Sequence, residues 1–318
     1  MRLSFIKCHG SGNDFPLVDA RGVAADWPTA ARLLADRTGP VGGDGLLLLV
    51  EDGGGLGMRM FNPDGSEAET CLNGLRCVAR LGFEVSGLSE AEMRLKGSSA
   101  HAARAAPLAP GVATVTTRAA ARPGAAAVGL VGVAEPLVDA PVPGLPSARA
   151  FTAVAMPNPH LVAFVDRVDE AELVALGDWV EAGPSLMPGR GNVSFVEART
   201  GGALFVRTYE RGVGLTNACG SAMAAATFAA GLTRRIGWGA PVTVFNAGGL
   251  VRAVARSPEE GAPVTVSGNA TFEWDGEIEV DAAAGTLGPL RVTRDRPEER
   301  AAWAAAVARL GAGAALAG

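Results

Sequence analysis

The sequence predicts a mixed α/β (α+β) fold assembled from two similar halves. Three observations carry this. Apolar runs of strand length recur along the chain, interleaved with a few stretches of helical periodicity. A length of 318 residues accommodates about two domains of ordinary size. Finally, the segment RMFNPDGSEAETCLNGLRCVA at 59–79 has an echo in VRTYERGVGLTNACGSAMAAA at 206–226. Each runs from a strand through a polar loop to a cysteine, and then into a helix.

Taken in order, residues 4–7 open a strand that leads into a turn at Gly10, Ser11 and Gly12, continued by Asn13, Asp14 and Phe15. Residues 28–37 form a helix, opened by Pro28 and Thr29, with Ala31, Leu34 and Ala35 on one face. A turn at 42–45 precedes the apolar strand 46–50. Strand 58–61 follows, and then the turn Asn62, Pro63, Asp64, Gly65. Residues 100–127 read as a looser stretch holding a strand at 112–117, and 128–150 as strand pieces and connections. Strand 151–156, a turn at 157–160, strand 161–165 and a helix at 171–179 come next. Strands are expected at 192–198 and 203–209, a small-residue helix at 220–231, and strands at 242–245, 250–255 and 264–267. A last helix spans 298–310, with Pro297 near its start.

Composition excludes several classes of function. Apolar residues make up 48% of the chain and the formal charge is −5, so a core can form and no basic surplus exists to neutralise nucleic-acid phosphates. No apolar run reaches the roughly 18 residues that span a bilayer, and the polar N-terminus is no secretory signal. The expectation is a cytoplasmic protein without membrane or nucleic-acid partners. Only Lys7 and Lys96 could form a Schiff base, which leaves pyridoxal phosphate chemistry few candidates. The three histidines are scattered, with no metal-ligand spacing, so no metal is expected.

The four cysteines, Cys8, Cys71, Cys77 and Cys219, are too sparse for a disulfide scaffold. Any one of them alone reads as a small buried hydrophobe. Cys71 and Cys219 differ, because each stands where a helix begins. There the helix dipole and free N–H groups lower a thiol pKa and can hold a carboxylate. Two such loops could supply a base and an acid to opposite faces of one carbon, with the substrate carboxylate pinned by backbone donors.

Those residues resemble the diaminopimelate epimerase family. The resemblance runs through KCHGSGNDF (7–15), GGDGLLLL (42–49), FNPDGSEAETCLNGLRC (61–77), NPH (158–160), GNVSFVEA (191–198) and YERGVGLTNACGS (209–221), in that order. It implies two pseudo-symmetric domains, each a sheet wrapped around a central helix, with the active cleft between them. On this basis the N-terminal lobe covers 1–125 and the C-terminal lobe 126–271, with the chain from about 272 returning to the first lobe. The implied activity is cofactor-independent epimerisation of LL-2,6-diaminopimelate to the meso form, in lysine and peptidoglycan precursor biosynthesis. Cys71 and Cys219 would be proton donor and acceptor, with His160 and Glu210 tuning the thiols. Asn13, Gly45, Asn62, Asn158, Asn192, Glu210 and Arg211 would surround the substrate. Leu72, Asn73, Gly220 and Ser221 would cradle the carboxylate of the reacting centre. A homodimer is a further implication.

Other residues keep blander readings. Asp14 and Asp64 stabilise turns, His9 is packed or hydrogen-bonded, Cys77 points into a core, and Cys8 is buried. Two departures bear on the substrate. Leu72 stands where the family usually has glycine, which adds a side chain and disfavours positive φ. Leu215 stands where glutamate is usual. They favour one alternative, a racemase of another amino acid on the same fold; a second alternative, of a different class, is a catalytically silent amino-acid-binding homologue. The helix expected after 297 has no role in this reading.

Overall fold

The computed structural model describes residues 1–315. In chain order the main elements are β1 (Arg2–Gly10), β2 (Asn13–Asp19), α1 (Trp27–Ala35), β3 (Leu46–Asp52), β4 (Gly55–Phe61), α2 (Leu72–Ser86), β5 (Glu90–Leu95), β6 (Ser98–Arg104) and β7 (Thr114–Ala120). Then come β8 (Ala150–Met156), β9 (Asn158–Phe164), α3 (Glu170–Glu181), β10 (Asn192–Ala198), β11 (Leu204–Glu210), β12 (Gly214–Thr216) and α4 (Gly220–Leu232). The chain closes with β13 (Val242–Asn246), β14 (Gly249–Ala255), β15 (Pro263–Asn269), β16 (Thr271–Asp281), β17 (Arg291–Asp295) and α5 (Pro297–Ala315). This is the expected mixed α/β class, with extensive sheet and few helices. The chain divides into two compact units, Met1–Thr117 with Ser267–Arg309, and Arg118–Val266 with the described residues from 310.

In the first unit β1 is flanked by β16 and β2, both antiparallel, with Phe5 opposite Gly276 and Cys8 opposite Phe15. The sheet continues through β3, parallel to β2, and β4, antiparallel to β3. α2 packs on β1, β2, β3, β4 and β6. Its residues from Leu72 to Ala79 are all buried, so it forms the axis of the unit. Gly87 ends it in the left-handed conformation, φ 76°, and donates back to Phe83 O.

In the second unit β8 pairs with β9, β9 runs parallel to β10, and β10 pairs antiparallel with β11. α4 is buried along its whole length from Gly220 to Gly231. Its small residues let neighbouring segments approach closely: a methyl at Gly231 would sit 2.4 Å from the ring of Trp238, in the turn that follows the helix. No helix among the described residues is long and apolar enough to cross a membrane.

Several elements differ from the sequence expectation. The turn expected at 157–160 is a hairpin that pivots on Pro157, and Asn158, Pro159 and His160 already belong to β9, with His160 opposite Val154. Asn13, Asp14 and Phe15 likewise start β2. The turn itself is only Ser11 and Gly12, at φ 54° and 84°, as a two-residue hairpin loop requires. The looser stretch at 100–127 contains most of β6 and all of β7. β5, β16 and β17 had no counterpart in the reading of the pattern. Glu90 to Leu95 carries too many charges to look like a strand, and 271–281 mixes acidic residues with Trp274 and Ile278.

Candidate active site

The two thiols that stood out in the sequence are each set at a helix start. Cys71 is the N-cap of α2, in extended conformation, and its Sγ accepts from Gly74 N at 3.3 Å. The Cys71 thiol also meets Asn13 Oδ1 at 3.6 Å. Asn13 is held by Asp44, which accepts from its Nδ2 and from Asp14 N. Asp44 in turn shares Arg37 with Asp14, at 2.6 and 2.7 Å. Lys7, buried, completes the group at 2.5 Å from Asp14. Burial alone would raise the Asp14 carboxyl, yet the bonds from Arg37 and Lys7 outweigh it and hold it below its ordinary value. Asp14 is thus an ion-pair hub and not merely a turn residue.

Leu72 resolves one doubt. It is the first residue of α2, takes ordinary helical geometry and packs in the apolar core of its unit, 5% exposed. The extra side chain therefore points inward and imposes no positive φ. Asn73 is buried, and its carbonyl lies where a methyl at Gly10 would come within 2.6 Å. Gly45 has φ 155° and allows Phe61 O to approach: a Cβ there would stand 2.4 Å from that oxygen. The bonds of Asn62 stay within its own turn, Nδ2 to Ser66 Oγ at 3.0 Å and N to Ser66 O at 2.8 Å.

Cys219 is the N-cap of α4 and 7% exposed. Burial pushes its thiol up, and the Glu210 carboxylate adds to this by charge and hydrogen bond. Ser221 and the Ala222 N–H pull the other way without prevailing. Cys219 Sγ lies 3.4 Å from Ser221 Oγ. Ser221 Oγ is 3.1 Å from His160 Nε2, which also has Asn158 Oδ1 at 3.1 Å and Asn192 Nδ2 at 3.3 Å. Burial drives His160 down to about 3, helped by Arg211, so the ring is neutral. Asn192 Oδ1 accepts from Arg211 N at 2.8 Å and fixes the loop after β11. Thr216 Oγ1 donates to Glu210. Leu215, half-buried, packs against the apolar cluster under α3.

The structure thus brings Asn13 to Cys71 in one unit. In the other it gathers Asn158, His160, Asn192, Ser221 and Cys219, with Arg211 and Glu210 attached. It leaves Asn62 and Gly45 engaged in their own backbone surroundings. Asp44, Arg37 and Thr216 were missed by sequence reasoning. The one available signal was Asp44 between three glycines, which reads as an ordinary turn. Cys8 and Cys77 are fully buried and hydrogen-bonded to each other, as their buried reading requires. Among the described residues no cluster of three or more His, Cys, Asp or Glu side chains is placed to hold a metal ion.

The diaminopimelate epimerase family model matches residues 5–103 and 152–272. The chain belongs to the diaminopimelate epimerase family. Curated relatives named diaminopimelate epimerase include one from Listeria monocytogenes, 37% identical over 88% of this chain and 89% of its own. Another, from Ligilactobacillus salivarius, is 36% identical over 97% of this chain and 99% of its own. Family membership makes the chain an isomerase acting on amino acids. Among solved structures, a predicted epimerase from Pseudomonas aeruginosa superposes with a TM-score of 0.61 at 17% identity, covering 88% of this chain and all of that one. A hydroxyproline epimerase from Agrobacterium vitis gives 0.57 at 15%, covering 96% and 97%. At these identities the likeness speaks to the fold alone.

Proposed function

We propose that this member of the diaminopimelate epimerase family interconverts LL-2,6-diaminopimelate and its meso form, for lysine and peptidoglycan precursor synthesis, without a cofactor. One thiolate of the pair Cys71 and Cys219 takes the α-proton, and the other, as thiol, returns a proton to the opposite face. The observation that carries this reading is the placement of a cysteine at the N-cap of the central buried helix in each unit. Helix N–H groups beside each thiol, from Leu72, Asn73, Gly220 and Ser221, suit the substrate carboxylate, whose oxygens take up the charge of the developing carbanion while these donors stabilise it. The raised Cys219 thiol fits the acid role in the resting enzyme, with Cys71 as base. Arg211 offers a guanidinium to the distant carboxylate, and Glu210 an acceptor to the distant ammonium. Asn192 aligns that loop through Arg211 N, and Asn158 meets His160. The burial of Leu72 removes the main reason to prefer a different amino acid.

The test is α-hydrogen exchange of LL-diaminopimelate in deuterated water with reduced protein. Deuterium at one α-carbon together with appearance of the meso isomer is expected. Exchange confined to amino acids with a single stereocentre would overturn the substrate, and no exchange at all would overturn the reaction.

A further inference from the structure

Arg76 is 0% exposed, the largest fully buried side chain of the molecule's described residues. Burying a charge is expensive unless it is well solvated by the protein. Here the guanidinium donates to Asn269 O at 3.0 Å, Ser11 Oγ at 3.0 Å and Leu72 O at 3.4 Å, all neutral acceptors. Room is cleared for it. A methyl at Gly268 would lie 2.6 Å from Arg76 Cζ, and one at Gly10 would lie 3.0 Å from Nη2. Ser11 is held in the left-handed region, φ 54°, by donating to Asn269 Oδ1 at 2.7 Å. Two glycines and a strained serine thus keep a costly charge inside the first unit. It sits on the helix that Cys71 caps, five residues on. The same position after Cys219 is Ala224.

We propose that Arg76 is a positioning residue that acts through Cys71, its buried guanidinium being the counter-charge that favours the Cys71 thiolate. This rests on the role given to Cys71 above. Burial lowers Arg76 to about 10, while Cys77 and then Cys71 draw it back up, so it keeps its charge at neutral pH. Other titratable groups face it as well. Cys77 on α2 is fully buried and pairs with Cys8 of β1. His9 of β1 is lowered to about 4 by burial, against Asp14 and with Arg76 and Lys7, and is neutral; Glu299 of α5 also faces it. Asp44 accepts from the Asn13 amide, whose Oδ1 lies 3.6 Å from Cys71 Sγ.

The experiment follows iodoacetamide labelling of each cysteine-bearing peptide against pH by mass spectrometry, without substrate. In Arg76→Met the Cys71 midpoint is expected to rise by about one pH unit or more, a roughly tenfold loss of thiolate at pH 7. The Cys219 profile should not move. A folded Arg76→Met protein with an unchanged Cys71 midpoint overturns the proposal. Should that variant not fold, the wild type decides. The Arg76 Nε–H resonance, shielded from exchange by burial, is expected to shift as Cys71 ionises and to stand still in Cys71→Ser. A resonance that ignores pH, or responds equally in Cys71→Ser, refutes the assignment. Labelling needs no turnover, so a failed diaminopimelate assay with an intact Arg76 effect would reject only the substrate reading.

Discussion

Lowering the pH should destabilise the first unit through His9. The ring is 7% exposed, its Nδ1 accepts from Gly12 N at 3.3 Å and Asn269 Nδ2 at 3.2 Å, and Trp303 of α5 lies against it at 6.0 Å. Chiefly because of burial its pKa falls from 6.5 to about 4. The folded value is the lower one, so the stability it reports is complete above pH 6.5 and lost as the pH falls through 4. Linkage gives a loss of about 1 kcal/mol at pH 6, about 2 kcal/mol at pH 5 and about 3 kcal/mol at pH 4. His9→Asn keeps an acceptor near the Nδ1 position and cannot titrate. Urea unfolding followed by tryptophan fluorescence, with both proteins at pH 7, 6 and 5, isolates the histidine from the carboxylates. The wild-type advantage over the variant should shrink by about 2 kcal/mol between pH 7 and 5. Parallel stability curves, within about 0.5 kcal/mol, would show that His9 is not held neutral by its surroundings.

Cys71→Ser and Cys219→Ser should each abolish epimerisation in a proton-exchange assay, and full activity in either refutes the two-thiol mechanism. Iodoacetamide should label half-exposed Cys71 at least about tenfold faster than Cys219 at pH 8, since the Cys219 thiol is both buried and pushed up; equal rates would argue against that asymmetry. Asp44→Ala, which removes the acceptor of the Asn13 amide and leaves Arg37 to Asp14 alone, should cut kcat by about tenfold or more, with Asp44→Asn recovering much of it through the remaining acceptor. Unchanged kcat in Asp44→Ala would show that Asn13 needs no such support. Leu72→Ala should cost about 2–4 kcal/mol in urea unfolding because Leu72 is core, whereas a cost below about 1 kcal/mol would place that side chain outside it.

The sequence spoke most clearly where local chemistry alone decides the structure. The glycine turn before Asn13, the strand at 192–198 and the helices that begin at Cys71 and Cys219 all follow from periodicity and capping residues. What stayed hidden depends on contacts between distant segments. Asp44 is legible as a turn residue, but its hold on Asn13 needs β2 beside the loop before β3. Arg76 looks like a solvated helix charge until Gly10 and Gly268, 258 residues apart in sequence, are seen to close over it. β16 escaped because its acidic residues mask a strand that pairs with β1 along most of its length. α5 was expected as a helix without a purpose, and its contacts give it one. Glu299 grips Arg80 of α2 at 2.5 Å and Trp303 backs His9, so the tail braces the turn that carries Asn13.

The two units repeat a strand, a loop and a capped helix, and on the mechanism proposed above their two thiols share one proton. Two identical surroundings could already hold that proton between them, so side chains laid over the shared frame serve to bias where it rests. Nine residues before Cys219 stands Glu210, whose charge raises that thiol; nine before Cys71 stands neutral Asn62, bound up in its own turn. Five residues after Cys71 stands a buried guanidinium, and five after Cys219 an alanine. Both substitutions act in the same sense, favouring thiolate in the first unit and thiol in the second. On the proposed mechanism that bias has to be modest, because each thiol would take the other's role in the reverse direction. This is why the Arg76 charge is best held among the neutral acceptors Asn269 O, Ser11 Oγ and Leu72 O, and not in a direct ion pair with the sulfur.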